Sequence, residues 1–553
     1  MPANLITKTD TNKQTFPKIN KAIQDAFDAL SKASRADENS NVALVKARNV
    51  QSQLDTIIIE SGTSDAETLQ ARTSYDGNVF KTVKERIDYE VAEILTHISE
   101  TNQEIEQRGI SVKKFGVIGD GVTDDTTALQ TALDYGYTNK VPVFFPRGEY
   151  KTSRTLRLKR GAHLILDPNA YIFRTGVYTM VLNGEKGDSF TEYEGNGDIT
   201  IDGGVWDAKG YEIAGDGSLF AFGYARNITV KNATIRNVNY SHGVELCAID
   251  GAVIENCRFE GYYDYTNGTR NYSEAVQLEH SSTAGFPYFG AGTLTPTKNI
   301  LVSKCYFGPS DSPSSQSWGV GVGTHSISTT AVTENVTVEK SEFVSNQYRG
   351  IRMRAWRNVK ILYNTFHNCE DGIQYDGDST VRAFLNVEGN VLEGCNRYGM
   401  VFAKMSSSEV KGNKIHSNDT SLVANGCENS TFTYNDLRSE NSDAVSCFAY
   451  SKRLFFENNT VRNAGRNGFN IYDNVFFIHL IKNTVHSSSS TALNFSGGGT
   501  TAILVKDNNI DTNAVMVASS GVSGLHFINN WYKSNGTVNS NALNAIISPN
   551  YTY

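Results

Sequence analysis

An asparagine returns at one phase through the second half of the chain, at Asn364, Asn390, Asn413, Asn435, Asn459, Asn483, Asn508 and Asn530, with 22 to 26 residues between neighbours. Two positions later an apolar or aromatic residue returns with it: Phe366, Leu392, Ile415, Leu437, Val461, Val485, Ile510 and Tyr532. The flanking segments, such as V-K-I-L-Y-N-T-F (359–366) and L-F-F-E-N-N-T-V (454–461), alternate as strands do. A repeat of this length without a helical period is one coil of a parallel β-solenoid, whose strands stack ~4.8 Å apart. A buried Asn recurring at one turn can bond the Asn above and below it and satisfy polar groups the turn would strand. The asparagine column is therefore expected to carry the fold and not the chemistry.

Composition agrees with a packed array. Of 553 residues, 39% are hydrophobic and 20% charged, which excludes wholesale disorder. The formal net charge of −8 argues against a nucleic-acid-coating protein. No stretch approaches the ~20 apolar residues of a membrane span. The start, M-P-A-N-L-I-T-K-T-D, lacks the apolar core of a signal peptide, so Sec export is not expected. The seven cysteines form no C-x-x-C, no histidine pair has zinc-finger spacing and no Asp cluster reads as a calcium site. The cysteines read as small buried side chains, and neither a metal nor a cofactor is expected.

The chain changes character near Gly109. Residues 1–109 read as helical, with apolar residues at helical spacing at Ile19, Ile23, Phe27 and Leu30 and more loosely from Val42 to Ile58. The clearest helix is expected over 79–108. Its apolar positions are Phe80, Val83, Ile87, Val91, Ile94, Ile98 and Ile105. Several are eleven apart, a period of ~3.67 residues per turn that keeps one straight stripe. A narrow stripe amid charge suggests a stalk in a parallel oligomer. Residues 110–553 read as the solenoid.

The solenoid opens with G-D-G-V-T-D-D-T-T-A-L-Q (119–130), then V-P-V-F-F (141–145) and P-R-G-E (146–149). Thr and Asp at a helix start read as caps, so Asp124 and Asp125 are expected to be structural. A helix there would cover the open end of the sheet. This run resembles the start of the pectate-lyase-like (glycosyl hydrolase family 28-related) domain of many phage tailspikes and some polysaccharide-degrading enzymes. The resemblance covers residues 110 to the C-terminus and implies a mainly β, right-handed parallel β-helix. Upstream, A-R-T-S-Y-D-G (71–77) and K-E-R-I-D (84–88) are similar to the segment preceding such domains in tail proteins of phages of Gram-positive bacteria. Together they resemble a tailspike or appendage protein, usually a homotrimer, attached to phage tail or neck proteins through the N-terminal segment.

A second register marks the candidate site. It reads G-V-E-L-C (243–247), A-V-Q-L-E (275–279), G-V-G-V-G (319–323), G-I-R-M-R (350–354), G-I-Q-Y-D (372–376) and G-M-V-F-A (399–403). Alternation turns Val244, Val276, Val320, Val322, Ile351 and Ile373 inward. It turns outward Glu245 and Cys247, Gln277 and Glu279, Gly321 and Gly323, Arg352 and Arg354, Gln374 and Asp376. Glu245 and Glu279 fall on neighbouring coils, offset by two residues, with backbones ~8 Å apart. Two carboxyls ~6.5–9.5 Å apart leave room for a water and ~5–5.5 Å suits a covalent step, and side-chain lean could produce either. Arg352 and Arg354 could hold a carboxylate or phosphate, and two glycines would leave a bare floor. His242, His280 and His325 adjoin this face, with His325 a candidate base or phosphate ligand. Glu274, Arg349 and Asp371 read as groove walls. Insertions near 261–298 and 308–333 carry aromatics, among them Tyr262, Tyr263, Tyr265, Tyr272, Phe286, Tyr288, Phe289 and Trp318, that could face sugars. The later coils, with a mostly Ser, Thr and Asn surface, read as length and rigidity.

The expected function is a virion appendage that binds and hydrolyses a bacterial cell-surface polysaccharide, with wall teichoic acid an attractive substrate. Glu245 and Glu279 are the first candidate acids, then Asp376 and His325. Gln277, Arg352, Arg354, Gln374, Arg349, Tyr288 and Trp318 are candidate substrate contacts. The alternatives are a non-catalytic adhesin for the same polymer and a polysaccharide lyase.

Overall fold

The computed structural model describes residues 70–552 apart from positions 267, 271 and 548. The helical segments expected near 19–30 and 42–58 lie outside the described residues, as does the side chain of Ile105. The chain divides into two compact units, Met1–Arg108 and Gly109–Tyr553.

In the first unit, helix α1 spans Val83–Arg108. It begins four residues later than the apolar stripe suggests because residues 73–79 close a turn, with an antiparallel bridge between Thr73 and Val79. Thr82 and Glu85 then form a reciprocal cap. Thr82 Oγ1 accepts from the Glu85 amide at 3.1 Å, and Glu85 Oε2 accepts from the Lys81 and Thr82 amides at 3.0 and 3.2 Å. Along the stripe Val83, Ile87, Ile94 and Ile98 are half-buried and Val91 is exposed.

The second unit is a parallel β-helix. Its strands pair in parallel from Ile110 onward, coil upon coil. Helix α2, Thr126–Asn139, follows the G-D-G-V-T-D-D turn and buries Leu129, Ala132 and Leu133. The two aspartates divide the work unevenly. Asp124 Oδ1 accepts from the Thr126 amide at 3.0 Å, whereas Asp125 makes no cap bond and instead holds the Ile118 and Gly119 amides at 2.7 and 2.8 Å. Both are structural.

Six strands of one sheet carry the second register: β1 Val244–Glu255, β2 Glu274–Glu279, β3 Val320–Gly323, β4 Arg349–Arg354, β5 Asp371–Asp376 and β6 Met400–Ala403. Strand β2 interrupts the first expected insertion and β3 the second, so each is two loops flanking a strand.

The interior is built from columns of like residues. Phe259, Phe307, Phe343 and Phe366 stack face to face at 5.0, 4.7 and 4.6 Å. All seven cysteines are buried and none is paired in a disulfide.

The asparagine column is continuous. Asn364 Nδ2 donates to Asn390 Oδ1 at 3.0 Å, Asn390 to Asn413 at 2.9 Å and Asn413 to Asn435 at 2.9 Å. The chain of bonds continues through Asn459, Asn483, Asn508 and Asn530 to Asn550. Each Oδ1 also accepts the backbone N–H of the preceding asparagine, as Asn435 does for Asn413 at 3.0 Å. Each Nδ2 reaches a strand carbonyl as well, as Asn413 reaches Val387 O at 2.9 Å. Removing one amide strands a buried N–H and a buried carbonyl on its neighbours. Asn413→Ala is therefore expected to cost about 1–3 kcal/mol, read as a lower melting temperature, while polymer binding is unchanged. Unchanged melting would place the column outside the load path.

Candidate functional site

The register decides which residues meet. Glu245 pairs with Gln277 and Cys247 with Glu279, so the two glutamates stand diagonally on β1 and β2. Gln277 pairs with Gly323, Gly323 with Arg352 and Arg352 with Gln374. Arg354 pairs with Asp376, and Arg349 with Asp371. The outward face thus presents the residues the alternation assigns to it, with one exception.

That exception is the glycine floor. Val322, not Val320, pairs with Val276 and Ile351, which displaces β3 by two residues from the expected alignment. Gly323 takes the outward place between Gln277 and Arg352. Gly321, within β3, faces the core at Phe343, where a Cβ would lie 2.5 Å from the ring and 2.7 Å from Gly350 O. Val320 turns toward the outward side, its Cγ1 2.9 Å from where a Gly323 Cβ would stand. The floor is one glycine wide.

The face is also roofed. Phe286 and Phe289 fold back onto Leu182, Ala221, Tyr224, Cys247 and Ala248, a second small core outside the main one. They serve packing and not an open aromatic platform. Trp318 is fully buried in the main core against Tyr262, ring centroids 5.6 Å apart, and cannot contact a sugar. Tyr262 and Tyr263 are buried too. Of the expected aromatic contacts, Tyr288 alone reaches the acids, its hydroxyl donating to Glu245 Oε2 at 3.3 Å.

Glu245 and Glu279 are each only 3% exposed, but their surroundings oppose one another. Glu245 accepts from Ser218 Oγ at 3.2 Å and from Tyr288, and forms no salt bridge among the described residues. Burial dominates and pushes its carboxyl up to about 8. Burial also acts on Glu279, but the donors around it outweigh it and hold its carboxyl below the ordinary value. Glu279 Oε1 lies 2.7 Å from His280 Nδ1, and Oε2 accepts from Thr324 Oγ1 at 2.8 Å and the Ser326 amide at 3.2 Å. One acid is arranged to keep its proton and the other to lose it, which is how an acid and a base share a site.

The arginines differ in how committed they are. Arg349 is buried, its Nε 2.9 Å from Asp371 and bonded to Gln374 Oε1 at 2.8 Å, while Arg397 grips the same Asp371 with two bonds. This is a wall, not a free contact. Arg354 is tied to the His325 carbonyl and to Asp376, 3.3 Å away. Arg352 forms no carboxylate pair among the described residues and lies 5.3 Å over the Tyr348 ring. It is the cation best placed to accept an incoming anion.

His325 does not join the Glu245–Glu279 pair. Its Nε2 lies 2.6 Å from Glu274 Oε2, and His242 Nδ1 lies 3.4 Å from the same oxygen. In sequence His325 reads as a candidate base and Glu274 as a groove wall, and they are not joined with His242, since the three come from separate coils.

Beyond the site the later coils are less plain than their composition suggests. Tyr363, Phe384, Tyr434 and Tyr450 stand exposed between strands and Phe477 near the start of one, each with a left-handed backbone.

Residues 109–401, more than half of the chain, match the family model described as rhamnogalacturonase A/epimerase, pectate lyase-like. Residues 370–510 match the right-handed β-helix region model. Plasmin and fibronectin-binding protein A of Streptococcus pneumoniae is 27% identical over 296 residues, covering 48% of this chain and 40% of that protein. The pre-neck appendage protein of Bacillus phage B103 is 25% identical over 331 residues, covering 56% of this chain and 32% of that protein. The match thus spans about a third to two fifths of these relatives' own length. The crystal structure of PfbA, a surface adhesin of S. pneumoniae, aligns over 74% of this chain and 91% of that one, with a TM-score of 0.51 and 19% identity, a likeness of fold.

Proposed function

The chain belongs to the rhamnogalacturonase A/epimerase, pectate-lyase-like family, and from that premise we propose that it is the part of a phage tail appendage that binds and hydrolyses an anionic cell-surface polymer. The observation that carries the chemistry is the pair Glu245 and Glu279, adjacent in the coil stack and pushed to opposite protonation states. Glu245 is the general acid, protonating the leaving oxygen, and Glu279 the base that activates water. Arg352 receives the anionic group, with Gln277 and Gln374 beside it. Asp376 keeps Arg354 in place. The pre-neck appendage relative supports the virion setting, with the N-terminal unit holding the tail or neck and α1 at the axis of a homotrimer. Wall teichoic acid fits the preference for a charged repeat.

The test is to mix the protein with purified wall polymers and measure soluble fragments. Release of fragments supports hydrolysis. A product absorbing as an unsaturated sugar would favour a lyase instead. Adhesion without cleavage is the second reading, favoured by the near-complete cover over both acids and by the adhesin relative. It predicts retention of polymer and no fragments.

Arg352→Ala is expected to weaken polymer binding severalfold, more at low salt, where charge is less screened. Arg349→Ala is expected to lower melting temperature, because it leaves the buried Asp371 with one arginine, Arg397, in place of two. Equilibrium binding at two salt concentrations, with melting curves, separates the two effects.

A further inference from the structure

We propose that His242, Glu274 and His325 form a binding site for one divalent transition-metal ion of the zinc class. The three residues come from successive coils: His242 just before β1, Glu274 at the start of β2 and His325 just after β3. Their ligand atoms all lie within 4.8 Å of one another.

Burial is what makes the cluster unusual. The Glu274 side chain is 0% exposed and His242 is 8% exposed. Among the described residues neither Glu274 oxygen accepts a hydrogen bond, and His242 Nδ1 and His325 Nε2 make none. The 2.6 Å approach of His325 to Glu274 lacks the alignment of a hydrogen bond. A buried carboxylate whose ion-pair partners are imidazoles, charged only when protonated, is costly. An ion between the three groups would satisfy one Glu274 oxygen and both ring nitrogens at once.

Ligand chemistry and spacing agree. Two imidazoles and one carboxylate are the donor set that suits zinc and its first-row neighbours, not calcium or magnesium. Ligands ~2.0–2.1 Å from a tetrahedral centre stand about 3.3 Å apart, close to the 3.4 Å between His242 and Glu274. The 2.6 Å pair would open, and the widest pair close, by side-chain rotation. Three protein ligands leave a fourth position for water or substrate. Of the cations near the cluster, Arg354 is bonded to the His325 carbonyl, and Arg270 is packed over the Tyr240 and Tyr272 rings, its NH2 group bonded to the Tyr240 carbonyl. The site adjoins the polymer face, since Thr324 and Ser326, on either side of His325, both hold Glu279. The inference does not depend on polymer cleavage, because it rests on these three side chains alone.

The untagged full chain, stripped with chelator and dialysed, should take up one zinc per chain in a calorimetric titration and retain it on elemental analysis. Cobalt(II) should give the intense visible bands of tetrahedral coordination. Glu274→Gln and His325→Ala should each weaken binding at least about tenfold. His325 is partly exposed, so its truncation keeps the test valid if Glu274→Gln fails to fold. No stoichiometric uptake by the unaltered chain, or equal uptake by the folded variants, overturns the proposal.

Discussion

Glu279→Gln is expected to release polymer fragments about 10²–10⁴-fold more slowly than the unaltered chain, the usual cost of losing an essential acid or base. Glu245→Gln should do the same, with polymer retained by both. The expectation follows from the division of labour between them. Glu279 is held ionised by His280, Thr324 and the Ser326 amide, which a neutral amide cannot replace as a base. Glu245 is held protonated by burial, and glutamine imitates its shape but has no proton to give. The pH profile of the unaltered chain supplies a second reading. Cleavage should fall above about pH 8, where Glu245 ionises, and in acid, where Glu279 takes a proton. Both variants cleaving near the normal rate would remove the pair from the mechanism and leave the face as a binding surface.

Access is the physical problem this pair poses. Both acids lie beneath Tyr288 and the loops after β2 and β3. The roof comes from loops that border strands, and strand pairing does not fix their position. A polymer that displaced the Tyr288 hydroxyl from Glu245 would meet the acid first and Arg352 three coils further along. The same cover that hides the site keeps water away from Glu245 and so keeps its proton on.

Much of the fold was legible because a solenoid writes one coil many times. The asparagine column needed eight copies to be seen, and each copy carries the same hydrogen bonds. Even its ninth member, Asn550, follows once Asn530 is known to donate onward. The site was legible only where alternation decides orientation: Glu245, Gln277, Glu279, Arg352 and Arg354 all face as read. It was not legible where a coil breaks its phase. Val320 and Val322 are the same residue type two apart, so the pattern alone cannot say which one pairs with Val276. Nor does an aromatic residue announce what it covers. Trp318 and Phe286 fill cores because their loops return to the coil stack, a long-range event absent from local sequence. His242, Glu274 and His325 are far apart in the chain and meet only through the stacking of coils.

Stability should carry the imprint of Glu245 on its alkaline side. In the unfolded chain this carboxyl titrates near its ordinary 4.5, and in the folded protein near 8. Between those values the folded state keeps a proton the unfolded state has released. Stability must then fall by about 1.4 kcal/mol per pH unit across that window. The contribution is complete below pH 4.5, is lost as pH rises towards 8, and is flat beyond. The sum is on the order of 5 kcal/mol, large for one side chain, because the group is buried and forms no salt bridge among the described residues. Glu279 has the opposite sign, since its folded value is depressed: it stabilises above its unfolded value and loses that contribution as pH falls through the folded one. Glu245→Gln keeps the neutral shape and removes the titration. It should therefore melt well above the unaltered protein at pH 8 to 9 and together with it at pH 4. Melting curves that track one another across the whole range would show that Glu245 is ionised in the folded protein, and the acid would have to be sought elsewhere on the face.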